Sequence, residues 1–206
     1  VLEGAYDLHI HFGPDVMPRK GTEREIARRA LDAGMRGFGI KSHFTPTAER
    51  ARLVNDQFPG LHAVGGVVLN RSVGGLNPMA VEVAGRLGGR IVWFPTVDAA
   101  HDMPRLKEDI PQFVELQVKL EERGMLRSAV PLLDGSGELV EPVYHVLEIA
   151  REHDMAVATG HSSPREGLAL VKAAHEMGLR KIVVTHADWK ETNYPLEAQA
   201  MAIADG

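Results

Sequence analysis

Short apolar runs alternate with longer amphipathic stretches along the whole chain. The first run, Tyr6-Asp7-Leu8-His9-Ile10-His11-Phe12, reads as a strand in which residues i and i+2 share a face. His9 and His11 then lie together on one side, with Leu8, Ile10 and Phe12 packed on the other. After a Gly13-Pro14-Asp15 loop, Thr22 and Glu25 make a capping box. The apolar stripe of Ile26, Ala30 and Leu31 predicts a helix behind it, ended by Gly34. Gly37 to His43 predicts a second strand, and Thr45-Pro46 an N-cap with proline at the first position of a helix reaching about Asp56. His62 to Leu69 is continuously apolar, as in strands buried on both faces.

The alternation continues. Asn77-Pro78 opens a helix to about Leu87, Arg90 to Pro95 is the fourth strand, and a helix is expected near Ile110 to Arg123. A hairpin-like excursion near 125–140 centres on Asp134-Gly135-Ser136-Gly137. A helix from Pro142 to about Glu152 leads to the fifth strand, Ala156 to Gly160. Ser163-Pro164-Arg165-Glu166 is a second capping box, starting a helix to about Met177. Lys181 to Thr185 is the sixth strand, and Pro195 to about Ala204 the last helix.

Strands alternating with helices imply βα units and a parallel sheet. Right-handed crossovers leave a barrel or a doubly wound sheet. In a (β/α)8 barrel the carboxyl ends of several strands converge on one mouth. His11, His43, His161 and His186 stand at such ends, which suits a barrel better than strand ends strung along a line. The expected fold class is therefore α/β of the (β/α)8 TIM-barrel type, a single domain over 1–206. Only about six βα units are present, whereas a closed barrel takes about 250 residues. Two open sheet edges would be a liability, so two further units are expected beyond this sequence.

Composition narrows the partners. The chain is 44% apolar and 25% charged, as in an ordinary globular protein, and its net charge of −5 comes without any basic stripe, which argues against nucleic acid. No apolar run approaches the roughly 20 residues of a membrane span. With no signal-like beginning, a cytoplasmic location is expected. The absence of cysteine excludes disulfides and thiolate zinc sites. A small-molecule substrate is the expected partner, and a homo-oligomer is left open.

Ten histidines change the picture most. His62, His145, His153 and His175 fall at a strand start or in helical stretches, where solvated or packing roles suffice. His9, His11, His43, His161 and His186 fall at or near the ends of strand-like runs. Two imidazoles side by side on a strand are half a metal site, and His161 and His186 are candidates for the other half. Imidazole suits zinc, with Mn, Fe and Ni as alternatives. Lys41 and His43 share a face on the second strand and are the candidate catalytic groups, His43 as ligand or acid–base. Asp7 would sit one layer deeper, orienting the site or paired with Lys41. Asp15, Asp98, His101 and Asp188 follow strand exits, and Arg71 stands beside the Asn77 helix start, within reach of an anion.

These residues carry a resemblance. The His9-x-His11 pair with single histidines after the fifth and sixth strands resembles the metal-dependent amidohydrolase superfamily. It extends over nearly the whole chain, from Asp7-Leu8-His9-Ile10-His11 through Thr159-Gly160-His161 to Thr185-His186. Within it, the chain is similar to an uncharacterised branch of metal-dependent hydrolases. The resemblance implies a (β/α)8 barrel in which His9 and His11, with an aspartate from strand eight, bind one divalent ion. His161 and His186 bind a second, or one binds and the other acts on substrate. Lys41 would then hold an anionic group of the substrate or, carbamylated, bridge two ions. The strand-eight aspartate has no counterpart here, and Arg90-Ile91-Val92-Trp93-Phe94-Pro95 carries no lysine or glutamate where many binuclear members place a bridging ligand. The implied function is hydrolysis by a metal-activated water at a carbonyl or phosphoryl group of an amide, lactone or ester. Its rivals are a metal-dependent decarboxylase or isomerase on the same barrel, and a non-catalytic metal-binding protein.

Overall fold

The computed structural model describes residues 1–102, 112–125 and 129–206. Strand and helix alternate along it: β1 (Tyr6–Ile10), α1 (Glu23–Asp32), β2 (Gly37–Ile40), α2 (Ala48–Gln57), β3 (His62–Val64), β4 (Gly66–Val68), α3 (Pro78–Arg86), β5 (Ile91–Trp93), α4 (Glu115–Glu122), α5 (Glu141–Glu152), β6 (Ala156–Ala158), α6 (Pro164–Glu176), β7 (Ile182–Val183) and α7 (Leu196–Asp205). The fold is α/β with parallel sheets. β1, β2 and β3 form one sheet in that order, β4 to β7 a second, and every pairing is parallel. Among the described residues β1 and β7 each pair on one side only, so the sheets do not close on one another.

The expected third strand is present in two pieces because the head of α2 wedges against it. The Thr47 backbone N–H donates to the Gly66 carbonyl at 2.9 Å, while its hydroxyl donates to Ile40 O at 2.7 Å and accepts from Gly66 N–H at 3.0 Å. A Cβ at Gly65 would stand 2.2 Å from Thr47 O, so only glycine lets the chain pass. The piece before Gly65 pairs with β2 and the piece after it with β5. The same contact corrects the start of α2. Thr45 turns back to the Ser42 hydroxyl at 3.3 Å, and Thr47 spends its own hydroxyl on the strands instead of on a cap.

Both faces of the second sheet are largely buried along β4, β5 and β6, whereas Val183 of β7 is exposed. Val68, Ile91, Trp93 and Ala158 pack together on one face. Val67, Val92 and Val157 lie on the other, against Val81 of α3, Leu147 of α5 and Leu170 of α6. This two-residue alternation inside continuously apolar strands is what parallel sheets require. On the first sheet Phe12, Phe38 and Ile40 pack under α1 and α2, with Ile10 partly buried beside them. Leu8 does not join them. It is 51% exposed, because β1 is an edge strand with no neighbour on its open side. Asp7 is exposed as well, and its carboxylate accepts the His9 N–H at 3.0 Å rather than pairing with Lys41.

The helix expected from Ile110 is seen as a 3-10 turn, Gln112–Val114, running into α4; its expected start lies outside the described residues. In the excursion near 125–140, Leu133 and Leu139 bridge antiparallel, and Asp134 N–H donates to Glu138 O at 2.8 Å; 126–128 lie outside the described residues. Among the described residues no helix is long and apolar enough to cross a membrane.

Both expected capping boxes form. At α6 the Ser163 hydroxyl accepts from Glu166 N–H, and Glu166 Oε2 accepts in return from Ser163 N–H at 2.9 Å. Ser163→Ala removes the cap at a cost of about 1 kcal/mol. In a chain of this size that lowers Tm by about 2–4 °C, measurable by circular dichroism. An unchanged Tm would show that the cap contributes nothing.

Candidate active site

The strand exits bring five histidines around one pocket of about 750 Å³. Ring centroids lie 5.2 Å apart for His9 and His11, 4.7 Å for His11 and His43, and 6.2 Å for His43 and His161. The circuit closes through His161 and His186 at 5.6 Å and His186 and His9 at 4.8 Å. β1 and β7 are not hydrogen-bonded to each other, yet the histidines at their ends meet. Lys41 lies behind this ring, 1% exposed, with its Nζ donating to His9 Nε2 at 3.1 Å and 5.7 Å above the Trp93 ring.

Each imidazole is set by its local backbone or by a buried partner. Gly160, at φ +68°, turns the chain out of β6, and its N–H donates to the Thr185 hydroxyl at 3.1 Å. The next N–H, that of His161, donates to Pro95 O at 2.9 Å. His186 is itself left-handed, at φ +52°, a conformation histidine adopts more readily than most residues. Its carbonyl is held by the Trp189 N–H at 3.0 Å and by the Thr192 hydroxyl.

Two supports come from residues that the sequence reading passed over. Asp102, 1% exposed, accepts from His161 Nδ1 at 2.7 Å, which leaves the Nε2 lone pair for the pocket. Asn70 donates to His43 O at 2.9 Å and to the Thr96 hydroxyl at 2.8 Å, and that hydroxyl meets His43 Nδ1 at 2.8 Å. Asp102 follows Asp98 and His101 in the loop after β5, where one more acidic residue was the available signal. Arg19 was also missed, and it lines the pocket.

Of the remaining sequence candidates, Asp188 lies on the pocket rim. Asp98 is buried away from the pocket and accepts the Arg71 N–H at 2.8 Å, and His101 Nε2 donates to Glu191 O at 2.9 Å. Asp15 holds Arg19 at 2.6 Å. Phe113 stacks on His43 at 5.7 Å, and Trp189 stands edge-on to His161 and His186 at 5.2 and 5.3 Å.

Burial dominates the electrostatics. Desolvation, with the Lys41 amine nearby, pulls His9 down to about 2, His11 to about 3 and His186 to about 4. It lowers His43 further still. His161 is lowered by burial too, against the opposing pull of Asp102. Desolvation brings Lys41 down to about 7. The imidazoles are thus neutral at physiological pH, the form in which they donate to metals.

A divalent cation suits this donor set chemically. His11 Nδ1 is buried with no hydrogen-bond partner among the described residues, and His161 is backed by a carboxylate as metal-binding histidines usually are. Two features run the other way. Among the described residues no three His, Asp or Glu side chains already converge into a metal-holding group, and Lys41 occupies the Nε2 of His9. Binding through His9 Nε2 requires Lys41 to leave it.

Comparison with known proteins adds a family but no activity. No curated protein sequence matches the chain. Among solved structures it is similar to deoxyribose phosphate aldolase from Aeropyrum pernix, at 14% identity over 100% of this chain and 83% of that one, with a TM-score of 0.39. A candidate mandelate racemase/muconate lactonizing enzyme from Sorangium cellulosum is similar at 15% identity over 78% of this chain and 49% of that one, with a TM-score of 0.23. Neither likeness is deep enough to bear on the reaction. The model of DUF6282, a family of unknown function, matches residues 4–206, and the chain belongs to that family.

Proposed function

We propose that the chain is a metal-dependent hydrolase acting on a small molecule with a carbonyl or phosphoryl centre, such as an amide, lactone or ester. The observation that carries this reading is the convergence of imidazoles from the exits of β1, β2, β6 and β7 on one pocket, His43 and His161 buried and His9 and His11 partly so. His9, His11, His161 and His186 would hold one or two divalent ions, zinc first, with Mn, Fe or Ni as alternatives. Such an ion lowers the pKa of water towards about 7 and polarises the substrate oxygen. His43, with Nδ1 engaged by Thr96, offers Nε2 to the pocket and is placed to move the proton. Asp102 fixes the ring of His161, and Phe113 and Trp189 line the walls. The approach of His186 to His9 across unpaired strands supports reading the two sheets as an arc of a (β/α)8 barrel, whose mouth is where such a site belongs.

The test is an assay of chelated protein, then of protein reloaded with Zn, Mn, Fe or Ni, on a panel of lactones, esters, amides and phosphoesters. Turnover that appears only with metal is the expected result. Absence of turnover and of bound metal in every arm would end the reading. The contact of Lys41 with His9 favours one second reading, an isomerase-type proton transfer run by Lys41 and the histidines without metal. It predicts activity that survives chelation and is lost in Lys41→Met.

A further inference from the structure

Arg19 lines the same pocket as His11, and its donors are incompletely used. Nε donates to Asp15 Oδ2 at 2.6 Å, and Nη2 stands 2.6 Å from that same oxygen. Nη2 is nevertheless buried without an aligned acceptor among the described residues. Asp15 is engaged on both oxygens: its side chain is 3% exposed, and its Oδ1 accepts the Val16 N–H at 2.7 Å. One carboxylate oxygen thus anchors a planar fork of five N–H donors and leaves part of it unspent. Buried donors left unmade are costly, and a guanidinium fork matches a carboxylate or a phosphate in two parallel hydrogen bonds.

The surroundings select the same ligand. Among the residues lining the pocket the acidic side chain is Asp188, exposed on the rim. Aromatic rings line the same pocket, with Phe113 flat on His43 and Trp189 edge-on to His161. An oxyanion bound here has a cation within the pocket, and its apolar body has rings to lie against.

We propose that the substrate carries an oxyanion, a carboxylate or phosphate on a small planar or apolar body, and that Arg19 binds it beside the histidine cluster. This deepens the hydrolase reading and rests on it for what happens to the bound molecule.

Benzoate and its neutral counterpart benzamide are the probes, titrated calorimetrically into the full chain after chelation, so that no metal competes for the carboxylate. Benzoate is expected to bind with an affinity that falls as salt is added, and benzamide to bind more weakly. Arg19→Gln should weaken benzoate about 10- to 100-fold and leave benzamide unchanged. Because that variant strands the buried Asp15, Arg19→Lys and the paired Asp15→Asn/Arg19→Gln variant are run beside it, each checked for a cooperative melt. Lysine should retain part of the affinity, and the paired variant none. Competition by acetate and by inorganic phosphate then tells which oxyanion the site prefers. Equal binding of benzoate and benzamide, or wild-type benzoate affinity in the folded paired variant, overturns the proposal. If benzoate binds through Arg19 but the protein takes up no zinc, the hydrolase reading falls and the anion site stands. If zinc binds and benzoate ignores Arg19, the reverse holds.

Discussion

His9→Ala with His11→Ala is expected to abolish the zinc-dependent part of the protein's stability. A ligand that binds only the folded chain stabilises it by RT ln(1 + [L]/Kd), about 2.7 kcal/mol at a hundredfold excess over Kd. In a chain of this size that raises Tm by about 5–10 °C. Wild-type protein should therefore melt higher in zinc than in chelator, and the double variant should melt alike in both. The chelated double variant should also melt somewhat below chelated wild type, because His9 Nε2 is the partner of the buried Lys41 amine, whereas His11 Nδ1 has no partner to lose. Elemental analysis across a zinc titration supplies the second readout: zinc affinity should fall at least about tenfold, since removing even a supporting residue costs 10- to 100-fold. A zinc-dependent rise in Tm that survives in the double variant would place the metal elsewhere or nowhere.

Lys41 sets what the chelated arm can show. Without metal it is the partner of His9 Nε2 under either reading, so losing the imidazole strands a buried amine in both. The zinc-dependent difference in melting temperature, and activity in chelator, therefore decide between the hydrolase reading and the metal-free alternative.

What the sequence could show about this site follows from how local each determinant is. The two capping boxes and the strand exits are written in neighbouring residues, so α1, α6 and the positions of His9, His11, His161 and His186 were legible. Alternation along β1 placed Ile10 and Phe12 under the helices. It failed for Leu8, because exposure there depends on which strand lies alongside, not on the pattern within the strand. The break at Gly65 was hidden for a similar reason: the run is continuously apolar, and the interruption comes from Thr47 on another element. Asp102 reaches His161 across 59 positions, and Asn70 reaches Thr96 across 26. No spacing rule links such pairs. Arg19 escaped because a loop arginine four residues after an aspartate reads as a surface ion pair, and only the pocket wall distinguishes it.

Gly160→Ala is expected to be among the most damaging single substitutions in the chain, and Gly88→Ala shows why. Both glycines have positive φ, +68° at Gly160 and +87° at Gly88, so alanine at either position carries the left-handed penalty of about 1–2 kcal/mol. Gly88 has nothing within 4 Å of the added Cβ, and its substitution should stop at that penalty. At Gly160 the Cβ would stand 2.3 Å from both Phe94 O and Pro95 O, backbone atoms that cannot swing aside. Overpacking of that kind costs a further 1–3 kcal/mol or so. The sum, about 2–5 kcal/mol, lowers Tm by roughly 5–15 °C, against about 3–6 °C for Gly88→Ala. The strain also has a direction. Pro95 O is the acceptor of the His161 N–H, so any shift that relieves the clash moves His161 relative to Asp102 and the pocket. Zinc binding should therefore weaken in folded Gly160→Ala and stay intact in Gly88→Ala. Equal melting temperatures for the two variants would mean the β6 exit is softer than its packing indicates. Wild-type zinc affinity in Gly160→Ala would mean His161 is not a ligand whose position matters.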